Sequence, residues 1–335
     1  MKRLAEFDYI RVIAICMILL CHYIEYGGID VELGRYLGGA GNSIFFLLSA
    51  MLYCFKYNGE NVNPHATDCL LFAKKRIVKL GSSVWPFLVF VIVLYQIFGF
   101  TFSWFNIGLN FLFLSYLAKM PGISHLWFIT VLMACYAEFM LLIRFKPRGG
   151  WFSWFFLILM VGIMALLEYE RIPGLALGYM GFFGFVFMNG RELFEMAKNV
   201  KFWQVSLIIL FNALCIVLFM NGLFEKSRFI SFLLFNICGL SLLVFLLRYV
   251  PEICSRGVTF LSGISFEIYI VHFNLCSGPF VRITSWQYGH LLQFGLVVII
   301  SIVAAVILHY VAGKVEKPLE KLFKLNNKQI KICTK

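Results

Sequence analysis

The chain has 335 residues, of which 61% are hydrophobic and 14% charged, and its formal net charge is +12. Apolar runs of about twenty residues recur along it, each long enough to cross a hydrocarbon core of roughly 30 Å as a helix. The short alternating segments of a membrane β-barrel are missing from the sequence, so the composition predicts an all-α, polytopic integral membrane protein.

Ten transmembrane helices are predicted, in chain order, near residues 8–26, 40–56, 81–100, 125–143, 151–168, 173–189, 201–222, 228–248, 258–278 and 290–313. The sequence has no internal repeat and no low-complexity linker, so we expect a single domain over residues 1–335. Its transmembrane bundle would occupy about 8–313, followed by a basic cytoplasmic tail at 314–335.

One apolar segment does not fit this series. The stretch "FSWFNIGLNFLFLSYLA" at 102–118 is short and is broken by Asn106, Gly108 and Asn110. Counting it as a full span would invert every later loop and put basic loops outside the cell. We therefore predict a re-entrant or outer-surface segment, which membranes tolerate when protein or a cavity covers the backbone.

The basic residues are distributed unevenly between the predicted loops. If the N-terminus is cytoplasmic, 22 of the 29 lysines and arginines fall in cytoplasmic segments and six fall outside. This is the asymmetry of the positive-inside rule. We therefore expect a multi-pass protein of the cell membrane with both termini cytoplasmic, a tail that contacts membrane lipids, and no nucleic-acid partner.

Ionisable residues inside apolar spans cost roughly 2.5–3.5 kcal/mol each and usually mark function. Arg11 opens the first span, and His22 lies about 16 Å further along it by helical rise. His125 begins the fourth span, beside Trp127, and His272 lies about two-thirds of the way along the ninth. The predicted orientation puts the three imidazoles on the outward side, where they suit proton transfer. Each histidine taken alone is explained equally well by a bond to a neighbouring helix.

A basic run, "KKRIVK" at 74–79, precedes the third span at the predicted cytoplasmic edge. Its side chains Lys75, Arg76 and Lys79 suit phosphate groups, although such a run alone is usually a topological anchor. Ser49, in "FFLLSAM", is likewise most simply a small residue for helix packing. The ten cysteines show no C-x-x-C pair or framework spacing, so we expect no metal site.

Six short motifs follow one another along the chain: Arg11 with His22, "GNSIFFLLSA" (41–50), Arg76 with Lys79, "HLWFI" (125–129), "SFEIYIVH" (265–272) and "VEKP" (315–318). Together they resemble the membrane acyltransferase 3 family, whose members O-acylate cell-envelope carbohydrates and related acceptors. Ala50, Lys79 and Phe266 depart from the family's usual Gly, Arg and Tyr. Lysine keeps the charge of arginine but loses its bidentate phosphate geometry.

The resemblance implies a membrane O-acetyltransferase. Its donor would be an acyl-CoA, most often acetyl-CoA, presented from the cytoplasm. The donor phosphates would lie against Lys75, Arg76, Lys79 and Arg11, the last also belonging to the catalytic group. The acceptor would be a hydroxyl of a surface or exported carbohydrate or of a lipid-linked glycan.

Acyl transfer to a hydroxyl needs a base, because a neutral hydroxyl is a poor nucleophile. The imidazole of His22 suits this task, and the carboxylate of Glu25, on the same helix face, would orient it. Direct transfer and transfer through an acylated residue both stay open. The other expected site residues are Ser49 and His272, for the oxyanion or the acceptor, and His125 and Trp127, for the acceptor.

Two other functions fit part of the sequence. Ten spans with intramembrane charges also suit an exporter or flippase of a polysaccharide or lipid-linked precursor. Inverted repeats with broken helices in corresponding positions would favour that function, and the sequence has none. The second alternative is a catalytically inactive relative that acts as a sensor or assembly partner.

Overall fold

A computed structural model describes residues 4–27, 29–57, 69–118, 120–145, 150–170, 174, 176–253, 255–277 and 289–325. All regular elements in these ranges are helical, and no strand occurs among them. The predicted all-α class is therefore confirmed.

The helices are α1 (Ala5–Tyr26), α2 (Val31–Tyr57), α3 (Cys69–Ile97), α4 (Trp104–Phe111), α5 (Trp127–Phe145, entered through a 3₁₀ turn at Ser124–Leu126), α6 (Trp151–Tyr169), α7 (Ala176–Lys198), α8 (Phe202–Met220), α9 (Leu223–Lys226), α10 (Arg228–Tyr249), α11 (Arg256–Gly263), α12 (Ser265–Val271), α13 (Phe273–Ser277) and α14 (His290–Leu322).

Eight helices in the described ranges are long and apolar enough to cross a membrane, and nine do so if α11 and the α12–α13 segment count as one broken span. The break falls at Ile264, where the sequence predicted a continuous helix. The predicted span that is missing from this group is the sixth, at 173–189; it corresponds to α7, which is not apolar enough. Glycines, Asn189 and the charges of Arg191 and Glu192 lower its hydropathy. Since α7 is buried along most of its length, protein rather than lipid surrounds it.

Two helices extend well beyond their predicted apolar cores. α3 begins at Cys69 rather than near residue 81, so the basic run at 74–79 is helical. α14 continues to Leu322 through the start of the basic tail, whose residues from 326 lie outside the described part of the chain. Hydropathy marks where a helix leaves lipid, and these two helices go on past that level.

The segment 102–118 does not span a membrane. It forms the eight-residue helix α4, about 12 Å long, followed by turns. Trp85 of α3 holds this segment, because its Nε1 donates to the Phe111 carbonyl at 2.9 Å and its ring stacks on Phe113. The prediction that this segment is not a full span agrees with the structure.

The contacts divide the chain into two compact units. The first comprises Met1–Val62 and Ala134–Ser262, and the second comprises Asn63–Met133 and Gly263–Lys335. The expectation of a single domain stays a prediction.

In the first unit α2 is central and packs against α1, α7, α8 and α10. Its residues Ala40, Ile44 and Leu47 are fully buried. Small residues bring the backbones close: a Cβ on Gly239 of α10 would lie 2.4 Å from the Cβ of Ser43. Close van der Waals packing of this kind drives helix association in lipid, where the hydrophobic effect between helices is weak.

In the second unit α14 packs along α3, and both helices contact α12. Gly122, before the 3₁₀ turn, has a φ of +73° and is packed so tightly that a Cβ there would lie 1.9 Å from the Tyr95 hydroxyl. Tyr95 in turn donates to Asn274 Oδ1 at 3.1 Å. These contacts fix α13 against the far end of α3.

Candidate active site

His22 and Glu25 form a pair on one face of α1, one turn apart. Nδ1 of His22 lies 3.6 Å from Oε2 of Glu25, and the two side chains are 17% and 28% exposed. Partial exposure leaves room for a substrate to approach the imidazole. The geometry suits an imidazole that takes a proton beside a carboxylate that stabilises the resulting positive charge.

Cys21 lies next to this pair and is buried against α2. A Cβ on Gly38 would come 2.4 Å from Cys21 Sγ, so glycine is required for α2 to approach α1 here. This close contact holds the α1 turn that presents His22. Donor atoms of Cys21, His22 and Glu25 all lie within 4.8 Å of one another, close enough to hold a metal ion. The expectation of no metal site stays a prediction.

Arg11 contacts a buried carboxylate that the sequence analysis did not single out. Nη1 of Arg11 lies 3.6 Å from Oδ1 of Asp8 and 3.4 Å from Oγ of Ser262. Ser262 Oγ donates to Asp8 Oδ1 at 2.6 Å, and Asp8 is only 1% exposed. The guanidinium therefore ties α1 to α11 within the first unit. The spacing of Asp8 and Arg11, three residues apart, was the one signal available in the sequence.

Ser49 lies far from His22 in the first unit. α1 and α2 run antiparallel, because Gly34 contacts Cys21 and Gly41 contacts Ala14. Ser49, two turns beyond Gly41, is therefore roughly 20 Å from His22 along the helix axes. Its hydroxyl donates to the Phe45 carbonyl of its own helix at 2.8 Å. The structure does not bring Ser49 to the imidazole of His22.

The second unit brings His125 and His272 together. Their ring centroids are 5.6 Å apart, and the residues are 2% and 0% exposed. A carbonyl only accepts, so His125 Nε2 donates to the Ile270 carbonyl at 2.9 Å, and His272 Nδ1 donates to the Tyr269 carbonyl at 2.7 Å. The Tyr269 hydroxyl donates to the His125 carbonyl and closes the cluster. Both imidazoles are thus fixed in orientation and tautomer.

Trp127, the other residue expected to contact an acceptor, follows His125 at the start of α5. It is half-buried, and its ring packs edge-on against that of Phe128, with 6.4 Å between the ring centroids.

The basic residues expected to hold phosphates share one turn of α3. Lys75 and Arg76 are half-buried, and the Arg76 guanidinium lies 5.2 Å from the centroid of the Phe72 ring. Lys79 is exposed and pairs with Glu316, whose Oε2 lies 3.3 Å from its Nζ. Glu316 belongs to the "VEKP" motif, so two motifs that are far apart in sequence meet here.

A second buried carboxylate, Glu267 of α12, joins three helices of the second unit. It is 3% exposed, accepts from Ser83 Oγ of α3 at 2.9 Å, and lies 3.3 Å from Nδ1 of His309 of α14. These contacts give Glu267 and His309 a structural role in holding α3, α12 and α14 together.

A further buried carboxyl is that of Glu138 in α5. It is 5% exposed, and neither of its oxygens has a hydrogen-bond partner among the described residues. Gly184 of α7 lies directly against it, because a Cβ there would be 2.3 Å from Glu138 Oε1.

The expected site residues thus divide between the two units. Arg11, His22, Glu25 and Ser49 belong to the first unit, and Lys75, Arg76, Lys79, His125, Trp127 and His272 belong to the second.

Comparison with known proteins gives one match. The model of the acyltransferase 3 family, described as an acyltransferase domain, matches residues 4–310. No curated protein and no solved structure matches the chain. The matched range covers nearly the whole chain and contains every expected site residue.

Proposed function

The chain belongs to the acyltransferase 3 family, which makes it a membrane acyltransferase, and we propose that it transfers an acetyl group from acetyl-CoA to a hydroxyl of a carbohydrate or lipid-linked glycan. The observation that carries this proposal is the His22–Glu25 pair, partly exposed on α1 at 3.6 Å. It supplies the base that a hydroxyl acceptor needs, within a chain that the family model matches from residue 4 to 310.

In this mechanism the acceptor oxygen attacks the thioester carbon. A C–O bond forms, the C–S bond breaks, and CoA leaves as the thiol. His22 takes the hydroxyl proton and passes it to the leaving sulfur, while Glu25 stabilises the transient imidazolium. Positioned general-base catalysis of this kind typically contributes 10²–10⁴-fold. If a residue is acylated first, the same base serves the second transfer.

The basic turn of α3 supplies the groups for the donor. Phosphates of CoA would lie against Lys75 and Arg76, and would compete with Glu316 for Lys79. An exposed ion pair is worth about 0–1 kcal/mol, so a phosphate displaces it readily. Because three basic residues share one turn, several phosphate oxygens can be bound at once.

We assign His125 and His272 to the acceptor: each neutral imidazole donates its one N–H to a backbone carbonyl, so its other ring nitrogen can accept a hydrogen bond from a hydroxyl but cannot donate one to the thioester oxyanion. Their rings are buried and their orientations are fixed by backbone carbonyls. Groups held in this way act without reorganising during the reaction.

The experiment that tests the function measures free CoA thiol released from acetyl-CoA by purified protein in liposomes. Envelope glycans supply the acceptor, and incorporation of labelled acetyl into the glycan is measured in parallel. We expect release and incorporation to occur together and to fall at least 100-fold in His22→Gln. His290→Ala, which removes an exposed histidine at the start of α14, serves as the matched control and should retain the wild-type rate.

Equal release from wild type and His22→Gln would contradict His22 as the base. Binding of glycan without any release of CoA, together with movement of glycan across the liposome membrane, would instead identify an exporter.

A further inference from the structure

A cavity of about 560 Å³ lies between α3, α12–α13 and α14, wholly within the second unit. Its walls are apolar, among them Pro86, Phe87, Ala304 and Leu308, and among the described residues Asn274 is the one polar residue that lines it. Its volume is within the range of ligand pockets, roughly 300–1,000 Å³. The shape and chemistry suit a hydrocarbon chain that carries a single polar atom.

Asn274 identifies the kind of polar atom. It is 3% exposed, and its Oδ1 accepts from the Tyr95 hydroxyl at 3.1 Å. Gly122 packs against that same oxygen, since a Cβ there would lie 2.7 Å from Asn274 Oδ1. Nδ2 has no hydrogen-bond partner in the described part of the chain. A buried amide donor is rarely left unpaired, so Nδ2 is available to an acceptor oxygen of a molecule in the cavity.

The depth of Asn274 shows where that oxygen lies in the membrane. Its partner Tyr95 is two residues from the end of α3, about 24 Å along the helix from Lys79. Such a separation places Asn274 near the far boundary of a hydrocarbon core of roughly 30 Å. Ester carbonyls of phospholipids lie at this boundary, whereas their acyl chains extend toward the bilayer centre.

The cavity also opens sideways. Phe90 and Ile307 line it and are 56% and 61% exposed, on apolar faces of α3 and α14. Ile307 lies seven residues, about 10 Å, before Lys314 on α14, so the opening is at the depth of the lipid tails.

We propose that this cavity binds one acyl chain of a membrane phospholipid, whose ester carbonyl accepts a hydrogen bond from Asn274 Nδ2. The chain would run from Asn274 along α3 and α14 toward Leu308. Phospholipid is the occupant because it combines a carbonyl at the boundary with a hydrocarbon tail below it. An isoprenoid chain has no such carbonyl. The proposal is independent of acyl transfer, since it concerns a binding site and not the reaction.

The test compares a diester phosphatidylglycerol with its diether analogue, which has the same tails but no carbonyls. Delipidated full-length protein is titrated with each lipid in detergent, and retention is measured by native mass spectrometry and by the shift in melting temperature. We expect wild type to prefer the diester by about tenfold, the value of roughly one hydrogen bond. Asn274→Leu should bind both lipids equally. Ala304→Phe, which fills the cavity, should bind neither.

Val303→Phe is the matched control for Ala304→Phe. It adds the same ring on the same helix at a residue that is 55% exposed and outside the cavity, so it should bind like wild type. Circular dichroism establishes that each variant is folded. Equal affinity of wild type for the two lipids, an ester preference retained in Asn274→Leu, or unchanged binding in folded Ala304→Phe would each overturn the proposal.

Discussion

Replacing Glu25 by glutamine tests whether its carboxylate acts through His22. Two unit charges 3.6 Å apart interact by roughly 5 kcal/mol at an effective dielectric constant of 20. The side chains are 17% and 28% exposed, and solvent screening reduces this interaction strongly. We expect the carboxylate to stabilise the transition state, in which the imidazole becomes charged, by about 1.4 kcal/mol. Glu25→Gln should therefore lower the rate about tenfold.

A double-mutant cycle measures this coupling. The rate of CoA release is determined for wild type, His22→Gln, Glu25→Gln and the double variant. If the carboxylate acts only through the imidazole, Glu25→Gln has no further effect once His22 is replaced. Glu32→Gln is the matched control, because Glu32 pairs with Arg35 in the same one-turn arrangement and should leave the rate unchanged. An undiminished tenfold loss in the His22→Gln background would refute the reasoning.

Three further predictions concern stability and are measured as thermal unfolding in detergent. Gly184→Ala should destabilise the protein by about 1–3 kcal/mol, since the new Cβ would lie 2.6 Å from the Phe156 ring of α6 as well as 2.3 Å from a carboxyl oxygen of α5. Ser262→Ala should cost about 1–3 kcal/mol, because it removes the hydroxyl that donates to the buried carboxylate of Asp8. Hydrogen bonding to Lys198 lowers the pKa of the exposed Glu252, so this contact stabilises the fold above pH 4.5 and is lost as the pH falls through the lowered value.

Each of these predictions has its own control. Gly162→Ala adds a methyl group where nothing lies within 4 Å and should leave the melting temperature unchanged. Ser206→Ala removes an exposed hydroxyl that bonds only to its own helix, and should cost less than Ser262→Ala. The melting temperature of Glu252→Gln should fall below that of wild type at pH 7 and converge with it under acidic conditions. A difference that persists at pH 3 would contradict the assignment.

Hydropathy predicted the spans well because almost every residue that faces lipid must be apolar. It failed where that requirement does not apply. α7 is surrounded by protein and therefore tolerates Asn189 and several charges. The ends of α3 and α14 lie beyond the apolar runs, and nothing in the composition distinguishes a charged helical turn such as 74–79 from a charged loop. No proline at Ile264 predicts the helix break there.

Candidate site residues were recognisable one at a time, but their partners were not. His22 and Glu25 are three residues apart, so helical periodicity alone placed them on one face. Asp8 and Ser262 are separated by more than 250 residues, and no pattern in a single sequence connects them. The same holds for the approach of His125 to His272, which depends on how α12 packs within the second unit.

The sequence analysis assigned both Lys79 and Arg11 to the donor phosphates, but the residues that they contact give them different roles. Lys79 is exposed, and its ion pair with Glu316 is a surface contact that an arriving phosphate replaces at little cost. Arg11 contacts Asp8, which is 1% exposed and also hydrogen-bonded to Ser262. Moving its guanidinium to a ligand would leave a buried carboxylate without its counter-charge, which costs several kcal/mol. We therefore infer that Lys79 is free to exchange Glu316 for a donor phosphate, whereas Arg11 fixes α1 against α11 and so acts on the reaction through the position of His22.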